Sequence, residues 1–353
     1  GNPGADTAYL RAANQQAASY RYAQALRLIE RGQALAVEHA DQFALSCLQA
    51  EVQHDLGDMA AARLSFETSR DAAQSEAERC RALIGLAMVK RIIDDLDGAA
   101  LDLRGAETAA ISAGLLTEQS RIHFLRGNLC FPQGDIAGCL SEHQHSLELA
   151  REVGSAEAEA AALGGLGDAE YARGRMRSAY DHFRRCIELC RGHGFGRIEV
   201  ANLPMTAFTR LYAGDVRGAL QDGLDAIAAT ARVGHGRAEI IAQHAACLCH
   251  LLLGDPAAGL RHAEAATALA RRLGARRFEG ESLAFRGEQL HALGQRDEAH
   301  AAVVAGLAIC RESGMSYIGP VVLGILAKIT PDARESEAAL EEGLALLRNG
   351  SIS

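Results

Sequence analysis

An all-α solenoid built from about nine helix-turn-helix units is the fold this sequence predicts. Three observations predict it. Glycine recurs every 40 residues, at Gly134, Gly174, Gly214, Gly254 and Gly294. Small side chains recur in fixed register around those glycines. The composition also favours helix throughout, with only six Pro in 353 residues, 48% apolar residues, and Ala, Leu, Arg and Glu in abundance.

Residues 163–194 show the unit most clearly. A first helix ends near Tyr171, Gly174 opens a turn, a second helix runs from Met176 to about Cys190, and Gly194 closes the unit. Stepping by 40 from Gly174 reaches Asp94 and Arg334 as well, and two shorter units place the turn at Gly57 and Tyr20. The units therefore run approximately 1–40, 41–77, 78–114, 115–154, 155–194, 195–234, 235–274, 275–314 and 315–353, one continuous solenoid over 1–353. Asp58, Asp95, Asp135, Asp215 and Asp255 each follow a turn position, where a helix N-cap is needed. Gly114, Gly154, Gly194, Gly234, Gly274 and Gly314 stand just beyond second helices, where a left-handed C-cap is needed.

Three columns of small residues identify the packing faces. Seven residues before the turn stand Ala13, Ala50, Ala87, Gly127, Gly167, Ala207, Cys247, Gly287 and Ala327. Five after it stand Ala25, Ala62, Ala99, Cys139, Ala179, Ala219, Gly259, Ala299 and Ala339. Twelve after it, Gly32, Ser69, Ala106, Ser146, Cys186, Ala226, Ala266 and Gly306 are small and Leu346 is not. Helices whose backbones approach closely need small side chains at the crossing, and a large one there overpacks.

This pattern, with Leu166-Gly167, Gly174, Ala179 and Phe183 as its clearest instance, resembles the tetratricopeptide repeat. The resemblance covers nearly the whole chain and implies a right-handed superhelix. Two departures stand out: the period is 40 rather than the usual 34 or so, and Gly replaces the proline that commonly ends a repeat. Long repeats of this kind resemble those of large bacterial signalling regulators. Leu125–Asp135, Gly167–Phe183 and Gly194–Met205 resemble the carboxy-terminal arm of proteins joining a class III adenylate or guanylate cyclase domain to an AAA-type NTPase. Neither of those domains lies in this chain. The chain begins at Gly1 rather than Met and reads as a piece of a longer polypeptide.

Net charge is −9, which argues against a nucleic-acid-binding surface; the local cluster Arg271, Arg272, Arg276 and Arg277 reads as solvated helix ends. No apolar run approaches the roughly 20 residues a bilayer span needs. An odd number of cysteines, nine, in a chain without a signal peptide points to a reduced, cytoplasmic protein. Five of them stand in repeat columns otherwise held by small residues, so they read as packing. Cys247 and Cys249 lie about 200° apart on a helix and cannot share a metal ion. The sequence has no phosphate loop and no GxSxG, HExxH or CxxC motif. The fragment is expected to be no enzyme and to need no cofactor.

Binding is the function that remains. In tetratricopeptide arrays, the resemblance implies, the first helix of each unit lines the inner, concave surface. Positions thirteen, ten, six and three before each turn then face a ligand. They place Arg121, Phe124, Asn128, Phe131, Asp168, Tyr171 and Phe208 together in the middle of the array, with His244 and Glu288 further along. Aromatic anchors among polar groups suit a peptide or protein segment, from another protein or from attached domains of the same polypeptide. Phe124 and Phe208 read equally well as packing between helices. Asp168, Glu51 and Glu288 interrupt the basic surface that a chaperone carboxylate clamp needs. Alternatives are a sensor that tightens around a small effector or signal peptide, and a self-association module that pairs two copies of the chain. Pro204 is expected to start its helix late, after an extended segment from Ile198 to Asn202, and to break the regularity there.

Overall fold

The computed structural model describes residues 5–315 and 318–349. Among them are 18 α-helices and no strand, and consecutive helices pack as pairs. Two compact units divide the chain, Gly1–Leu125 and Arg126–Ser353. The first holds α1 (Ala5–Ala18), α2 (Tyr22–Leu35), α3 (His39–Asp55), α4 (Met59–Ala72), α5 (Glu76–Ile92) and α6 (Leu96–Ser112). Helix α7 (Leu116–Gln133) carries the chain from one to the other. The second unit continues with α8 (Ile136–Glu152), α9 (Ala156–Ala172), α10 (Met176–His193), α11 (Gly196–Tyr212) and α12 (Val216–Val233). It is completed by α13 (Gly236–Leu252), α14 (Pro256–Leu273), α15 (Arg276–Ala292), α16 (Arg296–Ser313), α17 (Gly319–Ile329) and α18 (Ala333–Asn349). Odd-numbered helices are the first of each pair.

The turns follow from the residues that form them. Gly174 has φ 72°, in the left-handed region that a side chain disfavours, and its amide bonds back to the Tyr171 carbonyl at 2.9 Å. Asp94 holds the same conformation without being glycine, at φ 63°; Asp tolerates it better than most residues. Each predicted N-cap forms. The Asp135 carboxylate accepts from the Gly138 amide at 2.8 Å, and Asp58, Asp95, Asp215 and Asp255 accept from the residue three on at 3.0 Å.

Packing follows the small columns. Ala13, Ala50, Ala207, Cys247, Ala25, Ala62, Ala99, Cys139, Ala179, Ala219, Ala106, Cys186, Ala226 and Ala266 are all wholly buried. Large side chains meet the glycines. A β-carbon on Gly167 would lie 2.5 Å from the Phe183 ring, and one on Gly85 would lie 2.2 Å from the Phe66 ring. His143 occupies the position of Phe66 and Phe183 in its own repeat and sits between Gly127 and Gly165. Ala179→Leu is therefore expected to lower stability by about 1–3 kcal/mol by overpacking; denaturant unfolding with an unchanged midpoint would contradict this register.

Two polar patterns stitch the array. Four before and eight after the turn, paired side chains join the two helices of one repeat. Ser65 donates to Gln53 at 2.8 Å, Lys90 meets Asp102 at 2.6 Å, and Arg210 meets Asp222 at 2.9 Å. At that place in α13 and α14 two imidazoles stack instead, His250 on His262, with centroids 5.3 Å apart. Successive repeats of the second unit are joined by Arg151–Glu159 at 2.9 Å, Arg191–Glu199 at 2.8 Å and Arg271–Glu279 at 2.8 Å. Glu239 has Ala231 where those have arginine, and burial raises its carboxyl pKa.

Two expectations fail. Helix α11 runs unbroken from Gly196 to Tyr212, with Pro204 inside it. Pro204 is buried, with Val200, Met205, Ala207 and Phe208 buried around it. Burial of that face outweighs a missing amide that costs about 3 kcal/mol, and the Thr206 and Thr209 hydroxyls donate to nearby backbone carbonyls at 2.7 and 2.8 Å. The last turn does not fall at Arg334, which lies inside α18. Pro331 forces Thr330 into an extended conformation (ψ 136°), so α17 ends at Ile329 and the Asp332 carboxylate caps the Arg334 amide at 2.8 Å.

Candidate functional site

The residues expected to face a ligand separate into an open group and a buried one. In the first unit, Arg121 is exposed, with its Nη2 3.1 Å from the Met88 sulfur, and Phe124 is half-buried about one turn further along α7. In the second unit, Asn128, Phe131, Asp168 and Tyr171 are all half-buried. Tyr171 meets the edge of Phe208 with ring centroids 6.2 Å apart. Phe208 is 8% exposed, so its ring packs against neighbouring helices more than it faces solvent.

A residue outside the expected columns completes this group. Tyr212 lies 5.9 Å from the Tyr171 ring and stacks on Phe208 at 6.4 Å, and it is 58% exposed. The signal was available, because Tyr212 stands one helical turn beyond Phe208 and so shares its face. Tyr171, Phe208 and Tyr212 form an aromatic cluster across α9 and α11, open to solvent at Tyr212. A cluster of this kind offers a large apolar contact area with two phenol hydroxyls at its edge.

His244 does not belong to an open face. It is 1% exposed, its Nε2 lies 2.7 Å from the Ser282 hydroxyl, and its ring meets Phe285 edge-on at 5.0 Å. Burial drops its pKa to about 3. The cause is geometric: the position ten before the turn points into the seam with the next first helix, here α15. Gly164, Pro204 and Ala284 at the same position are buried too. Glu288 is tied up differently, its carboxylate meeting Lys328 of α17 at 2.8 Å.

Near His244 lies a charged cluster that the sequence pattern did not reveal. The Glu281 carboxylate is 3.7 Å from His244 Nδ1. Burial pushes the Glu281 pKa up to about 7, against the opposing pull of Arg277 and Arg237. Both guanidiniums stack on Phe278, 5.5 Å (Arg277) and 5.6 Å (Arg237) from its centroid. All nine cysteines are free thiols and eight are buried; burial raises Cys247 to about 12 and Cys249 to about 11. Among the described residues no group of three or more His, Cys, Asp or Glu could hold a metal ion, and no helix is long and apolar enough to cross a membrane.

Paired helices that recur in register, with small residues where they cross, define a helical-repeat solenoid. The family model described as tetratricopeptide repeat matches residues 118–192, so that stretch carries tetratricopeptide repeats. No curated protein shows significant sequence similarity to the chain. Solved structures share the fold. A Rap protein complexed with competence and sporulation factor superposes with a TM-score of 0.72 at 9% identity, covering 98% of this chain and 97% of that one. The Rap conjugation gene regulator of plasmid pLS20, in complex with the Phr* peptide, gives 0.62 at 12% identity, covering 99% and 96%. A signal transduction ATPase with numerous domains from Pyrococcus horikoshii, which carries a tetratricopeptide repeat sensor, gives 0.55 at 14% identity; this chain is covered to 99% and spans 53% of that protein.

Proposed function

We propose that the chain is the interaction arm of a larger bacterial signalling polypeptide, and that it takes a peptide or protein segment on the first-helix face of its second unit. The segment comes from a cytoplasmic partner or from an attached domain. The observation that carries this reading is the aromatic cluster of Tyr171, Phe208 and Tyr212, solvent-open at its Tyr212 end and flanked by Asp168 at the preceding turn of α9. A tyrosine left 58% exposed beside two further rings does little for the core but serves as an anchor for a partner side chain. Support also comes from the Rap proteins, two of which were solved with bound peptides or factors on this fold. The sensor arm of the ATPase supports attachment to an effector domain.

The test uses a bead-displayed library of nine-residue peptides with blocked termini. The chain is expected to retain a subset of beads, and the Tyr171→Ala, Tyr212→Ala double variant to bind the retained peptides about tenfold more weakly, a difference of about 1.4 kcal/mol. Affinity unchanged in a variant that still unfolds cooperatively would remove the cluster from the binding face.

A further inference from the structure

Each second helix turns one set of side chains towards the first helix that follows it. In α10 the set is Phe183, Ile187 and Cys190, in α14 it is Ala263, Thr267 and Ala270, and in α16 it is Val303, Leu307 and Cys310, all of them buried. The α16 set lies in one apolar cluster with Val322 and Leu323 of α17. Aligned by their first residues, Arg296 and Ala333, α16 and α18 place Ala302 and Gly306 level with Ala339 and Gly343, and all four are buried. The same alignment places Leu340, Leu344 and Leu347 level with Val303, Leu307 and Cys310. Those leucines are 51%, 50% and 44% exposed. Steps of four and three residues put them on one stripe of α18. The stripe is thus a helix-docking face of the kind other repeats of this chain build, and it carries three large apolar side chains in the open.

Two features of the chain decide what covers it. The first excludes α1 of another copy, the partner that head-to-tail stacking would supply. First helices turn a matching set towards the second helix before them: Leu45, Leu48 and Val52 of α3 are buried in one cluster with Ile29 of α2. Counted back from the turn, the same positions of α1 hold Ala8, Arg11 and Gln15, all exposed. That face would bury a guanidinium and an amide against leucine without partners. The second feature favours α18 itself. Glu341 and Arg348 are exposed on one flank of the leucine stripe, two helical turns apart. Two α18 helices crossing antiparallel near Leu344 bring the leucines of both copies together. They also bring Glu341 of each copy beside Arg348 of the other, because the two residues lie on either side of the crossing. The helix dipoles oppose each other in that arrangement and add to the attraction.

We propose that the chain pairs with a second copy through α18, the two helices antiparallel about a two-fold axis, with Leu340, Leu344 and Leu347 as the buried strip and two Glu341–Arg348 ion pairs at its edge. Such an interface is closed, so it stops at the dimer and does not propagate into a filament. A single helix pair falls below the roughly 800 Å² per partner of a standard interface, so the dimer is expected to dissociate in the micromolar range. This surface is separate from the aromatic cluster on α9 and α11, and both copies keep that cluster available.

Light scattering and sedimentation from about 1 μM to about 500 μM test it. Wild type is expected to pass from monomer to dimer over that range. Leu344→Glu is expected to stay monomeric with an unfolding midpoint close to wild type, because the side chain it replaces is half exposed. Glu341→Arg is expected to weaken the dimer about tenfold or more by setting arginine against arginine at both edges. The double variant Glu341→Arg, Arg348→Glu is expected to restore it, which a general effect of surface charge would not do. Monomer at every concentration would overturn the proposal and leave the face to a different partner. A dimer that survives Leu344→Glu would overturn it as well, by placing the contact elsewhere. A dimer unchanged by Glu341→Arg would overturn the antiparallel pairing.

Discussion

Gly306→Val is expected to destabilise the second unit by about 3 kcal/mol or more, the largest loss from a single packing change. A β-carbon at Gly306 would lie 2.6 Å from the Gly280 carbonyl oxygen and 3.2 Å from the Ala284 amide nitrogen. Both neighbours are backbone, so no rotamer change relieves the clash, and α15 and α16 must separate. Gly280 is itself crowded, a β-carbon there falling 3.0 Å from the Gly306 carbonyl. Gly324 is the control: it is an exposed glycine in α17, and a β-carbon added there would meet nothing within 4 Å. Gly324→Ala is expected to leave stability unchanged or raise it by about 0.5–1 kcal/mol. Urea unfolding of both variants measures the contrast, and equal effects would contradict the assigned helix contact.

Acid is expected to unfold the protein through two buried imidazoles. His143 and His244 are essentially unexposed, and burial alone drops both to a pKa of about 3. In the unfolded chain each returns to about 6.5. Below that pH the unfolded state binds protons that the folded state refuses, so stability is complete above about pH 6.5 and is lost as pH falls towards 3. Each histidine costs up to about 1.4 kcal/mol per pH unit in that window, or about 5 kcal/mol for the pair at pH 4.5. His143→Phe is expected to roughly halve the acid slope, because Phe183 fills the equivalent place against Gly167 in the next repeat. Unfolding midpoints that do not change between pH 7 and pH 4.5 in wild type would refute this.

The features legible in the sequence were those set by local rules and repeated often. Gly174 and its counterparts marked the turns because only a few residues accept φ near 72°. Asp135 and its counterparts marked helix starts through a bond within four residues. The small columns marked helix crossings because one geometry recurs in every repeat. Where a local rule met tertiary packing, packing prevailed: Pro204 sits inside a helix because its whole neighbourhood is buried. At the last turn a local rule prevailed over the period, Pro331 ending α17 before the step of 40 allowed. His244 was misplaced because the period fixes a residue's angle on its helix and does not say how closely the next helix crowds that angle. Tyr212 was accessible to the same arithmetic, at a column adjacent to those used. The Arg151, Arg191 and Arg271 ion pairs were accessible too, since each partner lies eight residues on.

The central claim is that the first-helix face around Tyr171 and Tyr212 holds the ligand, while the second helices serve packing. A photo-crosslinking amino acid placed at Tyr212 reports on that face directly. The same group at Tyr180, 38% exposed on the second helix α10, reports on the opposite role. Irradiation with the library-selected peptides, read by mass spectrometry, is expected to give adducts at position 212 and none at 180. Adducts at 180, or equal yields at both, would contradict the account.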